Sequence, residues 1–208
     1  AVVENEANAR LAINLPKTHI AVFGVEKIVG KLTELPHFLN VLSKSATGQL
    51  LNAYTSVVGA PDENKERFFI IVTKKRFEIA ADEVFSEALR CVRCGACQNI
   101  CPVFQRLSGH GYEFTYAGPI GTVLAPFFLG YRKCMQLIDA SSLCGFCKSI
   151  CPMKINLPGL ILEHRFRCGA DPAAGKTLYR RVKKIFSLGH SLVMSNNYLS
   201  TAVAPLAR

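Results

Sequence analysis

Four cysteines fall within eleven residues in "CVRCGACQNICP": Cys91, Cys94, Cys97 and Cys101, with Pro102 behind them. Few features constrain a chain more. Two-residue gaps let three thiolates of one tight loop reach three corners of a single iron–sulfur cube. The fourth cysteine of such a run points away and serves a second cluster. Zinc is the rival metal, but structural zinc sites set two close cysteines against two distant ligands. A second run, "SSLCGFCKSICP", supplies Cys144, Cys147 and Cys151, with Ser141 standing where a first cysteine would be.

Exchange of the last cysteines predicts the ligand sets. Cluster one takes Cys91, Cys94, Cys97 and Cys151, which makes a complete 4Fe–4S site. Cluster two takes Cys144, Cys147 and Cys101, one ligand short. Its fourth corner has four candidate solutions: the Ser141 hydroxyl, Cys134 from the preceding segment, a small exogenous ligand, or a vacant corner giving a 3Fe–4S cluster. A missing thiolate removes a negative charge and predicts a raised reduction potential. An open iron corner could also serve as a Lewis acid. The preferred reading is a non-cysteine ligand in an electron relay, because nothing else here forms a catalytic set. No phosphate-binding glycine loop, Ser/His/Asp set or paired acid/base carboxylates stand out.

Nine cysteines in 208 residues, an odd number with seven in two runs, argue against a disulfide framework. A reducing, cytoplasmic setting suits thiolate-bound metal better. No charged-then-apolar leader opens the chain, which predicts no secretory signal. The longest apolar stretch, residues 117–130, holds two prolines and is too short and broken to span a bilayer. The formal charge of +10 is unevenly placed. Residues 1–88 carry 10 Lys/Arg against 11 Asp/Glu, and residues 89–208 carry 15 against 4. The excess sits with the cysteines, where it offsets cluster charge and leaves a remainder for an acidic redox partner, an anionic membrane or a nucleic acid.

The first residues read as the end of a strand running into a loop. "HIAVFG" (19–24) reads as a buried strand, "ELPHFLNVLSKSA" as a helix with Leu35, Phe38, Leu39 and Leu42 on one face, and "LLNAYTSVVG" and "RFFIIVT" as further strands. Roughly 75 residues of such α/β material are too few to close a sheet and cover both faces, which predicts part of a larger domain. After residue 80, "ADEVFSEALR" predicts a short helix leading to Cys91, and helices follow over 119–129, 132–140, 157–168 and 176–186. In the last, Leu178, Val182 and Ile185 share a face and Arg180, Arg181, Lys183 and Lys184 lie elsewhere, which predicts a packing helix with a solvated basic face. The loop "SGHGYEFTYAGPIG" (108–121) is expected to wrap a cluster and keep water out. His110 within it is a weaker candidate for a proton or quinone contact. Cys168 reads as a small buried hydrophobe with no assigned role.

With these motifs placed, the sequence resembles the LutB/LldF family of lactate-utilisation iron–sulfur proteins. The likeness runs through "NEANAR", "LPKTHIAVFGVEKIV", "SATGQ", "ALRCVRCGACQNICPVF", "GPIGTVL" and "SSLCGFCKSICPMKINLP". Ala7 and Ser108 depart from the family's usual glycines. The resemblance implies an α+β chain: residues 1–73 as the C-terminal part of a LUD domain, a CoA-transferase-like α/β fold; 74–170 as an α-helical ferredoxin domain with two clusters; and 171–208 as a basic helical tail. It implies that Ser141 is a family trait. It also implies an electron-transfer subunit without its own substrate-converting site, in a cytoplasmic complex oxidising L-lactate to pyruvate. Partners would be a cysteine-rich-domain subunit and a LUD subunit, with a quinone-linked or peripheral-membrane acceptor at the inner face of the membrane as a further candidate. Rival readings are a relay in a glycolate-oxidase-like or heterodisulfide-reductase-like assembly, and a cluster-bearing structural or nucleic-acid-binding protein. The absence of basic strands interleaved with aromatics counts against the last.

Overall fold

A computed structural model describes residues 1–4, 8–52, 54–60, 64–171 and 178–195. The chain is mixed α and β up to about residue 80 and mostly helical beyond it. Strand β1 (Val2–Glu4) pairs antiparallel with β3 (Tyr54–Ser56), and β2 (Thr18–Gly24) pairs parallel with β4 (Glu66–Val72), from Thr18↔Glu66 to Gly24↔Val72. Helix α1 (Asn8–Asn14) follows β1, where the sequence predicts a loop, and buries Ile13. Helix α2 (Leu35–Thr47) lies between β2 and β3. It begins with Pro36 in its first turn and ends at Gly48, whose left-handed φ of 75° lets its N–H reach the Lys44 carbonyl.

The two-stranded sheets leave apolar side chains open. Parallel strands are ordinarily covered on both faces, yet Val22 and Phe69 are 62% and 63% exposed. The buried strand expected at 19–24 is therefore a half-exposed one, because no described element lies over it. The strand expected over 50–59 shrinks to Tyr54–Ser56.

The core sits in the helical half. Helix α6 (Gly118–Leu129) is apolar all round and buried from Gly118 to Pro126, as expected of a central helix. It packs against α7 (Tyr131–Ala140) and α9 (Leu157–Ala170). Phe85, Ile79, Leu124, Ile138, Ile155, Leu157 and Ile161 are almost fully buried in that core, each contributing roughly 1.5–3 kcal/mol of transfer free energy. The helix expected over 81–90 is displaced. Helix α3 spans Arg76–Ala81, and a 3-10 turn covers Ser86–Arg90. Between them the Asp82 carboxylate accepts the N–H groups of Val84 and Phe85 at 3.0 and 3.2 Å, a local turn that competes with a continuous helix.

Three short helices carry the cysteine runs: α4 (Ala96–Asn99), α5 (Pro102–Leu107) and α8 (Phe146–Ile150). Helix α10 (Leu178–Ser195) runs nine residues past its expected end; Lys176, and the side chains of Leu178 and Arg180, lie outside the described residues. Lys183 joins it to Asp139 of α7 at 2.6 Å. Contrary to the packing helix expected here, Val182, Ile185, Phe186 and Leu192 are exposed, and Arg181, Lys183, Lys184, Ser187 and Leu188 line a cavity shared with α7 and α9. Among the described residues no helix is long and apolar enough to cross a membrane.

Candidate metal centre

The two cysteine loops are built as twins. Cys91 ends its 3-10 turn at φ −64°, ψ 118°, and Ser141 ends α7 at φ −66°, ψ 128°. Arg93 and Leu143 then both take the left-handed region, at φ 61° and 53°. Gly95 and Gly145 repeat it at 81° and 88°, each at the start of a short helix. Cys101 and Cys151 close the loops in extended conformation, at ψ 117° in both. The backbone N–H of Ala96 points at Cys94 and that of Phe146 at Cys144, so even the hydrogen bonds to sulfur correspond. Ser141 thus occupies the backbone position of Cys91.

The loops face one another, with α4 against α8. Cys91, Cys94, Cys97 and Cys151 line one cavity of about 390 Å³, with Tyr116 and Ile120 among its walls. Cys94 lies within electrostatic reach of Cys91 and Cys151, and Cys147 within reach of Cys101 and Cys144. Cys97 and Cys147 also interact, which sets the two groups side by side. The loop 108–121 covers them as expected. Gly109, Thr115, Tyr116 and Ala117 line the cavity, and buried Tyr112 directs its hydroxyl at Cys101. Gly121 admits the chain at its closest approach: a Cβ there would meet the Tyr116 carbonyl oxygen at 2.0 Å.

Burial pushes the Cys97 thiol up to about 12 and the Cys147 thiol up to about 11. Holding both as thiolates requires positive charge nearby, which iron would supply. Exposed Cys144 is instead held below the ordinary range by the Phe146 N–H and then the Ser142 hydroxyl. Among the described residues no three His, Cys, Asp or Glu side chains converge as ligands of one ion. Thiols spread around a cavity fit the corners of a cube better than a single zinc with bonds of about 2.3 Å. The Arg93 Nε and Nη1, buried beside these thiols without a hydrogen-bond partner, fit an anionic occupant.

The Ser141 hydroxyl accepts the Leu143 N–H at 3.3 Å. Its carbonyl is held by Arg165 Nη2 at 2.5 Å, much as Lys27 Nζ holds the Cys91 carbonyl at 2.8 Å. Cys134 of α7 is 2% exposed, set in the helical core, where it interacts with buried Cys168. His110 lies exposed in the 3-10 turn His110–Tyr112. Arg93, Lys27 and Tyr112 escape sequence reasoning. Their positions depend on a left-handed loop and on contacts across 64 residues of chain.

Residues 1–79 match the LUD domain family and residues 87–155 the 4Fe-4S dicluster domain family. Lactate utilization protein B of Bacillus cereus (strain AH820) is 38% identical over an alignment of 230 residues, covering 99% of this chain and 48% of the relative. The same protein of Bacillus thuringiensis (strain Al Hakam) and Bacillus anthracis (strain A0248) gives the same figures: 38%, 99% and 48%. The chain therefore spans about half the length of the curated relatives it matches. No solved structure matches it significantly.

Proposed function

The chain belongs to the family of lactate utilization protein B, and from that premise we propose that it relays electrons through two iron–sulfur clusters in a complex oxidising L-lactate to pyruvate. The observation that carries this reading is the meeting of Cys151 with Cys91, Cys94 and Cys97 around one cavity, from runs 50 residues apart in register. In this reading those four hold a 4Fe–4S cluster, and Cys101, Cys144 and Cys147 hold the second. Ser141 supplies the fourth contact of the second site, since it stands in the backbone position of Cys91 while Cys134 is turned into the core.

The clusters supply one-electron redox chemistry. The protein's own part is to bind, seclude and tune them. Burial of Cys97 and Cys147 excludes water, and N–H groups of Ala96, Ile120, Phe146 and Lys148 point at the sulfurs, a known lever on potential. Adjacency of Cys97 and Cys147 gives electrons a short path between the sites. Donor and acceptor would be a cysteine-rich-domain subunit and a LUD subunit at the cytoplasmic face of the membrane.

Anaerobic purification with iron and sulfide quantification tests this. About seven or eight irons per chain and two electron paramagnetic resonance signals at different potentials are expected. A chain holding one cluster would sink the relay. Ser141→Ala is expected to move the second signal and Cys134→Ala to leave both signals in place. Capture of the native partners from a lactate-grown cell separates this complex from other oxidoreductase assemblies.

A further inference from the structure

Arg93 carries a charge that the described protein does not neutralise. It lines the cavity of Cys91, Cys94, Cys97 and Cys151, and its Nε and Nη1 atoms are buried with no hydrogen-bond partner. A guanidinium cannot shed its proton to escape this, and unmet buried donors are costly. The cavity wall holds no Asp or Glu to pair with it. The group is nevertheless fixed in place: its central carbon sits 3.9 Å from the ring centroid of Tyr116, another wall residue. The loop backbone does not explain it, because Leu143 takes the same left-handed conformation in the twin loop without a charged side chain. The guanidinium is particular to the first site. Four cysteine sulfurs share the pocket with it, and the neutral Gln98 and Thr115 in the wall do not bond its Nε or Nη1.

We propose that Arg93 is a positioning residue for the occupant of the four-cysteine cavity, donating its buried N–H groups to that anionic cluster and raising its reduction potential. The assignment rests on the cluster reading given above and goes beyond it by naming the residue that sets the potential. Reduction adds negative charge, so a fixed cation with free donors favours the reduced form more than the oxidised one. Tyr116 is the plate that holds the fork against the site.

The test is a redox titration, followed by electron paramagnetic resonance, of the anaerobically purified chain and its Arg93→Gln, Arg93→Lys and Tyr116→Leu variants, each with iron and sulfide quantified. In Arg93→Gln the first cluster is expected to become about tenfold harder to reduce, a fall of about 59 mV for one electron, with the second signal unmoved. Arg93→Lys keeps the charge without the fork and should fall between. An iron-loaded Arg93→Gln with an unmoved first potential would overturn the assignment. Should that variant lose iron from the first site, Tyr116→Leu decides: a smaller downward shift supports the role, and an unmoved potential refutes it. Wild-type protein that takes up no iron and sulfide would overturn the underlying cluster reading together with this one.

Discussion

At the scale of single residues, His164 shows how the helical core resists change and where it yields. The imidazole stacks on Phe85 with centroids 4.1 Å apart, and Phe127 and Tyr131 meet it edge-on. Its Nε2 lies 2.7 Å from the Val123 carbonyl oxygen, so that nitrogen carries the proton, while Nδ1 accepts from the Tyr131 hydroxyl at 3.1 Å. Both ring nitrogens are satisfied in the neutral form. Burial, ahead of the Arg167 charge, lowers its pKa from the ordinary 6.5 to about 4. Unfolded chains thus take up this proton at a higher pH than folded ones. Stability contributed by the neutral ring is complete above pH 6.5 and is lost as pH falls from there towards about 4. Asp82, held below the usual carboxylate range first by its hydrogen bond from Arg167, adds a loss of the same sign at lower pH. Urea titrations across pH 4–7 check this. His164→Gln is expected to cost about 2 kcal/mol at pH 7 and to flatten the acid slope. The two cysteine runs were legible because their spacing is written along the chain, and residues 87–155 match the 4Fe-4S dicluster domain family. His164 and Arg93 were not, because what each touches is decided by tertiary packing.

At the scale of elements, a buried ion pair ties the α/β part to the start of the helical part, beside the bond from Lys27 to the Cys91 carbonyl and that from Asn99 to the Ala46 carbonyl. Glu26, just past β2, meets Arg76 at the start of α3 at 2.5 Å, with side chains only 5% and 11% exposed. Gly24 leaves room for it, since a Cβ there would lie 2.1 Å from Glu26 Oε2 and 2.6 Å from Arg76 Nε. Breaking one side strands a buried charge. Glu26→Gln is expected to cost about 3 kcal/mol by denaturant titration, and Glu26→Leu with Arg76→Met together less than that. Elements with a strong apolar period, such as α2 and α7, stood out in the sequence. The helix expected over 81–90 was misplaced, because the Asp82 carboxylate diverts two N–H groups into a local turn. The pairing of β2 with β4, across about 40 residues that include α2 and β3, was equally hidden, since strand partners are set by non-local contacts that propensity does not encode.

At the scale of the whole molecule, the twin loops make two sites from one backbone plan and then set them apart by side chain. Where the first loop has Cys91 and Arg93, the second has Ser141 and Leu143. On the proposed two-cluster reading, each exchange removes a charge from the second site, a thiolate in one case and a cation in the other, and these act on potential in opposite directions. The difference between the two potentials is therefore a balance of two separable terms. Ser141→Cys isolates one of them. Residue 141 already has the backbone conformation of Cys91, so the new thiol is presented as its counterpart is, and Arg165 still holds the loop through the residue's carbonyl. A fourth thiolate adds negative charge at the second site. The expected outcome is a second cluster whose potential falls by on the order of 59 mV or more, a first cluster whose potential stays put, and about eight irons per chain. Redox titration with iron quantification reads all three. An unmoved second potential at full iron loading would mean that residue 141 does not reach the cluster, and the asymmetry of the relay would then rest on the surrounding cations.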